Sequence, residues 1–359
     1  MNSALCNKEV LVSIIIPNIN GEKVLPSCLN SLLNQSFKNF EVIVIDNGSR
    51  DNSYRICEEY KLKGLKISFV KLNRNYGYSA AITLGAILSK SKYILATNND
   101  IIFDKSFLEI IINKIENIRK IRPNIVAASP VIYHFPDTNT IFYAGGVLSF
   151  ISGHYMYYNK DVSQIVHELK GIKYTFFPSG AAALIDREIF VKMGGYDPIY
   201  FAGVEEMDFG LQLYRNGFKA VIITDAKVLH LESATFGSRS LIHNYHKLFL
   251  SLRNLLIYYF KNYDAIRLVI VFISHIIIST TLIIYSILKR DPNIVAAVRK
   301  AYTFFIRNDL KRIKKRRSRI INKNYKMTEI LKLAKHYGIY IELKHIFPTI
   351  IKRYFFLYV

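Results

Sequence analysis

The patterned part of the chain begins with an apolar run at residues 10–16, in which Ser13 is the one polar residue. That is the length of a strand covered on both faces and too short for a helix with a buried stripe. Residues 24–33 then space their apolar positions three and four apart, as a one-sided helix does. The alternation continues with strands at 40–45, 66–72 and 93–97 and helices at 53–63 and 78–89. Strands separated by single helices predict βαβ units and a mostly parallel sheet. Such sheets bind ligands beyond the carboxyl ends of their strands, so chemistry is expected just after each strand. From residue 123 to 230 the pattern loosens. It predicts short strands at 125–129 and 174–185, a helix at 206–216 closed by Asn216-Gly217, and a strand starting at 220–223.

Beyond residue 240 the character changes. Residues 248–260 are apolar except for Arg253 and Asn254, and residues 268–288 hold no charged side chain. As a helix the second stretch would be about 31 Å long, close to the hydrocarbon thickness of a bilayer. His275, Ser274, Ser279, Thr280 and Thr281 make it less apolar than a simple anchor, so a buried or interfacial helix is the alternative. A single span would export a basic tail, against the positive-inside tendency. Two antiparallel helices at 242–260 and 268–288 would keep both flanks on one side.

Charge sharpens this division. The 359 residues carry a formal net charge of +22, yet residues 289–359 alone hold 19 basic and 4 acidic side chains. A basic tail points to a polyanion. The run Lys311-Arg-Ile-Lys-Lys-Arg-Arg-Ser-Arg319 has no RNA-stacking motif beside it, whereas Tyr302, Phe304 and Phe305 suit an interfacial helix. An anionic membrane surface is therefore expected in preference to nucleic acid. At 51% apolar residues the chain is not globally disordered, and its length suits two domains or one with an appendage. Cys6, Cys28 and Cys57 lack CxxC spacing, which excludes a structural zinc site or disulfide framework and fits a reducing compartment. Residues 10–16 are of strand length, so no secretory leader is expected.

Four strand ends carry candidate chemistry. The first reads Pro17-Asn18-Ile-Asn20-Gly21 and the second Asp46-Asn-Gly-Ser49 with Asp51 close behind. An Asp after a buried strand can accept from a ligand NH or hydroxyl, although Asp-Asn-Gly-Ser is also good turn and helix-cap chemistry. Asn75-Tyr-Gly77 opens a helix whose positive end, with Arg74, suits phosphate. Asn98-Asn99-Asp100 follows the fourth strand, where one carboxylate beside diphosphate oxygens would make a site for Mg²⁺ or Mn²⁺.

In this order the motifs resemble the family 2 inverting glycosyltransferases of the GT-A fold, especially the rhamnosyltransferase-like branch. The matching residues include Ser13-Ile-Ile-Ile-Pro17, Ser27-Cys-Leu-Asn-Ser-Leu-Leu-Asn-Gln35 and Glu41-Val-Ile-Val-Ile-Asp46-Asn-Gly-Ser49. Later come Pro178-Ser-Gly-Ala-Ala-Ala-Leu-Ile-Asp-Arg187, Gly194-Gly-Tyr-Asp197 and Glu205-Glu206-Met-Asp208. The resemblance implies an α/β GT-A fold, a Rossmann-like mixed sheet flanked by helices, followed by C-terminal membrane-associated helices. It divides the chain into a transferase domain at 1–240 (nucleotide-binding half 1–122, acceptor half 123–240), apolar helices at 241–288 and a basic helical tail at 289–359.

Roles follow from the same resemblance. Pro17, Asn18, Asn20, Asp46, Asp51, Asn75, Asn98 and Asn99 would line the nucleotide pocket. Asp100 falls on the last acid of the family's Asp-x-Asp metal motif, with Asn98 in place of the first, and His230 is the second expected ligand. Ser179 and Gly180 would lie under the acceptor, and Asp208 would hold the acceptor or the local fold. Glu206, or Glu205 beside it, would be the base that direct displacement at an anomeric carbon requires. Both could instead cap the helix they open. His243, His246 and Arg239 have plain structural or solvated readings.

The implied reaction moves a sugar from a nucleotide-diphosphate donor to a lipid-linked or glycan acceptor at the cytoplasmic face of the cell membrane, with a homodimer compatible. Two alternatives differ in class. A nucleotidyltransferase would need a Gly-rich phosphate loop that Pro17-Asn-Ile-Asn-Gly21 does not supply. A catalytically weak transferase body could serve as a polyanion-binding or membrane-binding module.

Overall fold

The computed structural model describes residues 10–149, 153–155, 160–165, 171–231 and 244–313, with Lys332, Lys335 and a short strand at Tyr340–Ile341. The first half alternates as the apolar pattern requires: β1 (Val12–Asn18), α1 (Leu25–Leu33), β2 (Phe40–Asp46), α2 (Ser53–Leu62), β3 (Ile67–Lys71), α3 (Tyr78–Leu88) and β4 (Tyr93–Thr97). Two elements beyond the pattern reading follow, β5 (Ile101–Phe103) and α4 (Phe107–Ile121). The second places Glu109 in its first turn and Arg119 and Lys120 in its last, as the helix dipole favours.

Next come β6 (Ile125–His134), β7 (Thr140–Tyr143), β8 (Gly146–Ser149), β9 (Gly153–Tyr155), β10 (Lys160–Asp161) and the short α5 (Val162–Ile165). The single strand expected at 174–185 is two strands, β11 (Ile172–Thr175) and β12 (Ala182–Asp186). Pro178-Ser-Gly180 lies in the break, where proline cannot donate to a ladder. Then follow α6 (Arg187–Lys192), α7 (Glu205–Arg215), β13 (Lys219–His230) and three C-terminal helices, α8 (Tyr245–Asn262), α9 (Ala265–Lys289) and α10 (Pro292–Phe304), the last passing into a π-helical turn at Phe305–Asp309.

The main sheet runs β10-β7-β6-β12-β4-β1-β2-β3. From β1 the chain steps outward through parallel β2 and β3, then returns to the other side of β1 as parallel β4. That reversal is a topological switch point, and Asn18, Asp46 and Thr97 end the strands around it. β12 closes antiparallel on β4. Alternate residues serve two cores. Val12, Ile14 and Ile16 face the core shared with α1, α2 and α4, while Ile15, Ile43 and Ile45 face the one shared with α3, α6 and α7.

β13 runs parallel to β6 with a register break between Ile223 and Lys227, and antiparallel to β5, so that His230 stands opposite Ile101. α8 is sunk into the protein. Its buried residues include Arg253, Asn254, Lys261 and Asn262, so the first arm of the expected apolar hairpin packs into the body built on the main sheet. Among the described residues α9 is the one helix long and apolar enough to cross a membrane. It packs through Val271, His275, Ser279, Leu282 and Ser286 and leaves Ile266, Val269, Ile273, Ile276, Ile277 and Ile284 exposed. After α10 the chain is back at the body, because Asp309 pairs with Arg253 at 2.7 Å.

Candidate active site

A net of short polar side chains spans the ends of β1, β2 and β4, where the nucleotide-pocket residues were expected. Asn18 Nδ2 donates to Asp46 Oδ1 at 3.0 Å and to Ser49 Oγ at 3.2 Å. Asn99 Nδ2 in turn donates to Asn18 Oδ1 at 2.8 Å. The register explains the meeting, since Asn18 stands opposite Asp46 in the β1–β2 ladder. Asp46 is fully enclosed. Its Oδ1 also accepts from the Ser49 hydroxyl and its Oδ2 from the Ser49 amide, so it shapes the pocket from behind. Asn20, in the left-handed region at φ 47°, accepts from the Arg50 amide at 3.0 Å.

Asp51 ties the β1 loop to α2, accepting from the Glu22 amide at 2.9 Å and the Ser53 hydroxyl at 2.7 Å. Partial burial works upward on its carboxyl, but the Ser53 hydroxyl and the two amides outweigh it and hold the group below the usual carboxylate range. Pro17 is half-buried at the end of β1, beside this net. Asn75 Oδ1 accepts from the Gly77 amide at 2.8 Å and shapes the entry to α3. Arg74 lies over the Tyr76 ring at 4.7 Å.

The two expected metal ligands come together. Asp100 Oδ1 is 3.2 Å from His230 Nε2, and both side chains are buried. The β5–β13 pairing enforces this, sealed by the Leu231 amide donating to the Asp100 carbonyl at 3.0 Å. Asp100 Oδ1 has no hydrogen-bond partner, and Phe142 meets the His230 ring edge-on at 4.5 Å. An orphaned buried carboxylate oxygen beside an imidazole suits Mn²⁺ or Mg²⁺. Among the described residues no third His, Cys, Asp or Glu completes a cluster, so the remaining ligands would come from elsewhere.

The acids open α7, and Glu206 lies near residues 179–181. Thr97 and Asn98 donate to the Ala181 carbonyl at 2.8 and 3.3 Å, which lays residues 179–181 beside the end of β4. Ser179 is fixed there, its amide donating to Ser129 Oγ at 2.8 Å. A Cβ built on Gly180 would stand 3.8 Å from Glu206 Oε2 and 3.8 Å from the Tyr78 ring, so the Glu206 carboxylate faces this segment. The Tyr78 hydroxyl donates to the Gly180 carbonyl, a contact the sequence reading did not single out. Glu205 is 4% exposed; burial first, and the neighbouring Glu206 carboxylate second, push its pKa up to about 8.

Asp208 is held by α8. Its oxygens accept from Lys261 and Asn262 of α8, both at 2.7 Å, and Lys261 also reaches Asp197 at 2.8 Å. Arg253 and Asn254 likewise contact the loop before α7. The signal was present as two polar residues interrupting an apolar helix, but nothing local said what they faced. His246 lies on α8 with its ring edge-on to Tyr245. His243, Arg239, Cys6 and the basic run at 314–319 lie outside the described residues.

A family model, glycosyl transferase family 2, matches residues 13–194, half of the chain, including the polar net and Asp100 but not Glu205, Glu206 or His230. The chain belongs to glycosyl transferase family 2. It is similar to the glycosyltransferase GlyG of Streptococcus pneumoniae, 26% identical over 136 residues, which are 38% of this chain and 44% of that protein. It is also similar to the O-antigen biosynthesis protein RfbC of Myxococcus xanthus, 25% identical over 62% of this chain and 17% of RfbC. The undecaprenyl-phosphate 4-deoxy-4-formamido-L-arabinose transferase of Aeromonas hydrophila is 38% identical over 25% of this chain and 29% of its own. The chain thus spans less than half the length of these relatives.

Among solved structures, GalNAc-T7 with UDP, GalNAc and Mn²⁺ superposes with a TM-score of 0.55 at 18% identity, covering 72% of this chain and 49% of that one. The mixed sheet with its flanking helices is therefore the GT-A glycosyltransferase fold.

Proposed function

We propose that this chain is an inverting glycosyltransferase of the rhamnosyltransferase-like branch, moving a sugar from a nucleotide-diphosphate donor to a lipid-linked or glycan acceptor. The observation that carries the reading is the contact of two motif segments with a third. The end of β4 is bonded to the Ala181 carbonyl, and the Glu206 carboxylate faces neighbouring Gly180. The polar net of Asn18, Asn99, Ser49 and Asp46 offers a base and ribose a preorganised surface, with Pro17, Asn20, Asp51 and Asn75 shaping its rim.

Asp100 and His230 would hold Mn²⁺ or Mg²⁺, which stabilises a departing diphosphate. With Asn98 in the family's first acid position, this chain contributes one carboxylate there, which suits a cation shared with diphosphate oxygens. Glu206 takes the proton of the acceptor hydroxyl as that oxygen attacks the anomeric carbon from the face opposite the diphosphate. Glu205 is buried beside it, its own pKa pushed up by burial first and by the Glu206 carboxylate second. Ser179 and Gly180 offer the acceptor a floor without side-chain bulk, while Asp208 anchors α7.

The exposed apolar face of α9 and the basic residues around it, Arg267, Lys289, Arg290, Arg299 and Lys300, support a seat on an anionic membrane surface at its cytoplasmic side. The return of the chain to the body at Asp309 favours a helical hairpin over a lone span. Similarity to a transferase named for undecaprenyl phosphate and to an O-antigen biosynthesis protein supports a lipid-linked acceptor.

The test is purified chain with Mn²⁺ and a panel of UDP-, GDP- and dTDP-sugars, read by thermal stabilisation and by transfer. Glu206→Gln is expected to abolish transfer and leave donor binding intact. Unchanged turnover in that variant would place the base elsewhere.

A further inference from the structure

Every carbonyl of the loop from Ile199 to Gly203, which leads into Glu205 and Glu206, is gripped from outside the loop. Arg253 Nη2 donates to the Ile199 carbonyl at 2.8 Å. The amide nitrogen of Asn254 lies within hydrogen-bond distance of three more, those of Tyr200 at 2.8 Å, Ala202 at 2.9 Å and Gly203 at 2.7 Å, its two hydrogens shared among them. The remaining one, Phe201, accepts from the Ser79 amide at 3.1 Å. One helix, α8, thus supplies four of the five grips.

The loop needs holding. Phe201 has φ 66° and Val204 φ 77°, the left-handed region that a β-branched residue rarely adopts. Such a backbone persists only where its surroundings over-determine it. Val204 is the residue just before α7, so its conformation sets the direction in which the first helical turn, and with it both acids, leaves the loop. Asn254 is held in its turn, its Oδ1 accepting from Arg253 Nη1 at 3.1 Å. Asp309, beyond α10, accepts from both Arg253 Nε and Nη2, at 2.7 and 3.0 Å.

We propose that Asn254, backed by Arg253 and Asp309, is a positioning residue that holds the 199–204 loop in the strained shape from which α7 starts, and so fixes the placement of Glu205 and Glu206. The proposal rests on the reading of those acids as the catalytic pair. It gives the C-terminal helices a part in catalysis as well as in location. A displacement of about 1 Å at the reacting groups costs about a hundredfold in rate, so a loosened loop should lower turnover without harming the distant nucleotide net.

The experiment compares the full chain with Asn254→Ala and with Asn254→Ser, which keeps a polar group too short to span the three carbonyls. Amide hydrogen exchange is measured throughout. Kinetics use whichever UDP-, GDP- or dTDP-sugar the parent turns over with Mn²⁺. The expected result is faster exchange confined to residues 197–208, a fall in kcat of about a hundredfold and a donor KM within a few-fold of the parent's. Unchanged exchange in that loop overturns the clamp, and faster exchange spread evenly over sheet and helices overturns it in favour of general stability. Local loosening with unchanged kcat overturns the link to the acids. Glu206→Gln, in which the clamp is intact, tests the acids themselves separately.

Discussion

Glu205 is buried with Oε2 lacking a hydrogen-bond partner, and its pKa is pushed from 4.5 to about 8, by burial first and by Glu206 second. Between about pH 4.5 and 8 the folded chain therefore keeps a proton that the unfolded chain has released. Stability is fully present below this window and falls as pH rises through it, because the native state binds more protons than the unfolded one. At about 1.4 kcal/mol per pH step, the loss by pH 8 is no more than about 5 kcal/mol. Glu205→Gln removes the titration and keeps the shape. Its stability should be nearly flat over the same window, and at pH 8–9 it should outlast the parent in urea although a site residue has gone. With 25 Tyr and no Trp, circular dichroism or tyrosine emission can follow the unfolding. Parallel pH dependences in parent and variant would refute the assignment of the raised pKa to this carboxyl.

Gly77 sits at φ 88°, and a Cβ there would stand 2.4 Å from the Phe201 carbonyl oxygen. Gly77→Ala should cost about 1–3 kcal/mol and disturb the acid loop, visible as a lower thermal midpoint together with lower turnover. Asp309→Ala strands the buried Arg253 charge and should cost about 3–5 kcal/mol in urea unfolding, most of it regained when Arg253→Met is added. Ile276→Asp with Ile277→Asp, both on the exposed face of α9, should abolish flotation with phosphatidylglycerol-containing vesicles and leave Mn²⁺-dependent donor stabilisation unchanged. Flotation of the double variant equal to the parent's would remove α9 as the docking face.

The alternating first half was legible from residue pattern because each strand and helix there buries its own periodic face, and the motif residues follow strands wherever the ladder ends. The role of Glu205 and Glu206 as acids came only from the family resemblance, whereas the helix they open was legible from its pattern. β5 and α7's approach to Gly180 were not, since a three-residue strand has no period to read and the approach depends on which strands pair. Asp46 shows the intermediate case. Its place after β2 was evident, yet only the packing shows both oxygens taken by its own loop and by Asn18.

The sequence by itself determined the βαβ order, the strand ends that carry polar residues, the family those residues belong to, and the long apolar stretch at 268–288. Tertiary structure alone decided that Asp100 meets His230, because that contact follows from the antiparallel register of β5 on β13 and not from any spacing along the chain. It alone decided the fate of α8 as well. An apolar run states that a helix must be covered but not by what, and here the cover is the protein, with Arg253 and Asn254 turned inward to grip the loop beneath. α9, covered on one side only, keeps the exposed apolar face that composition suggested.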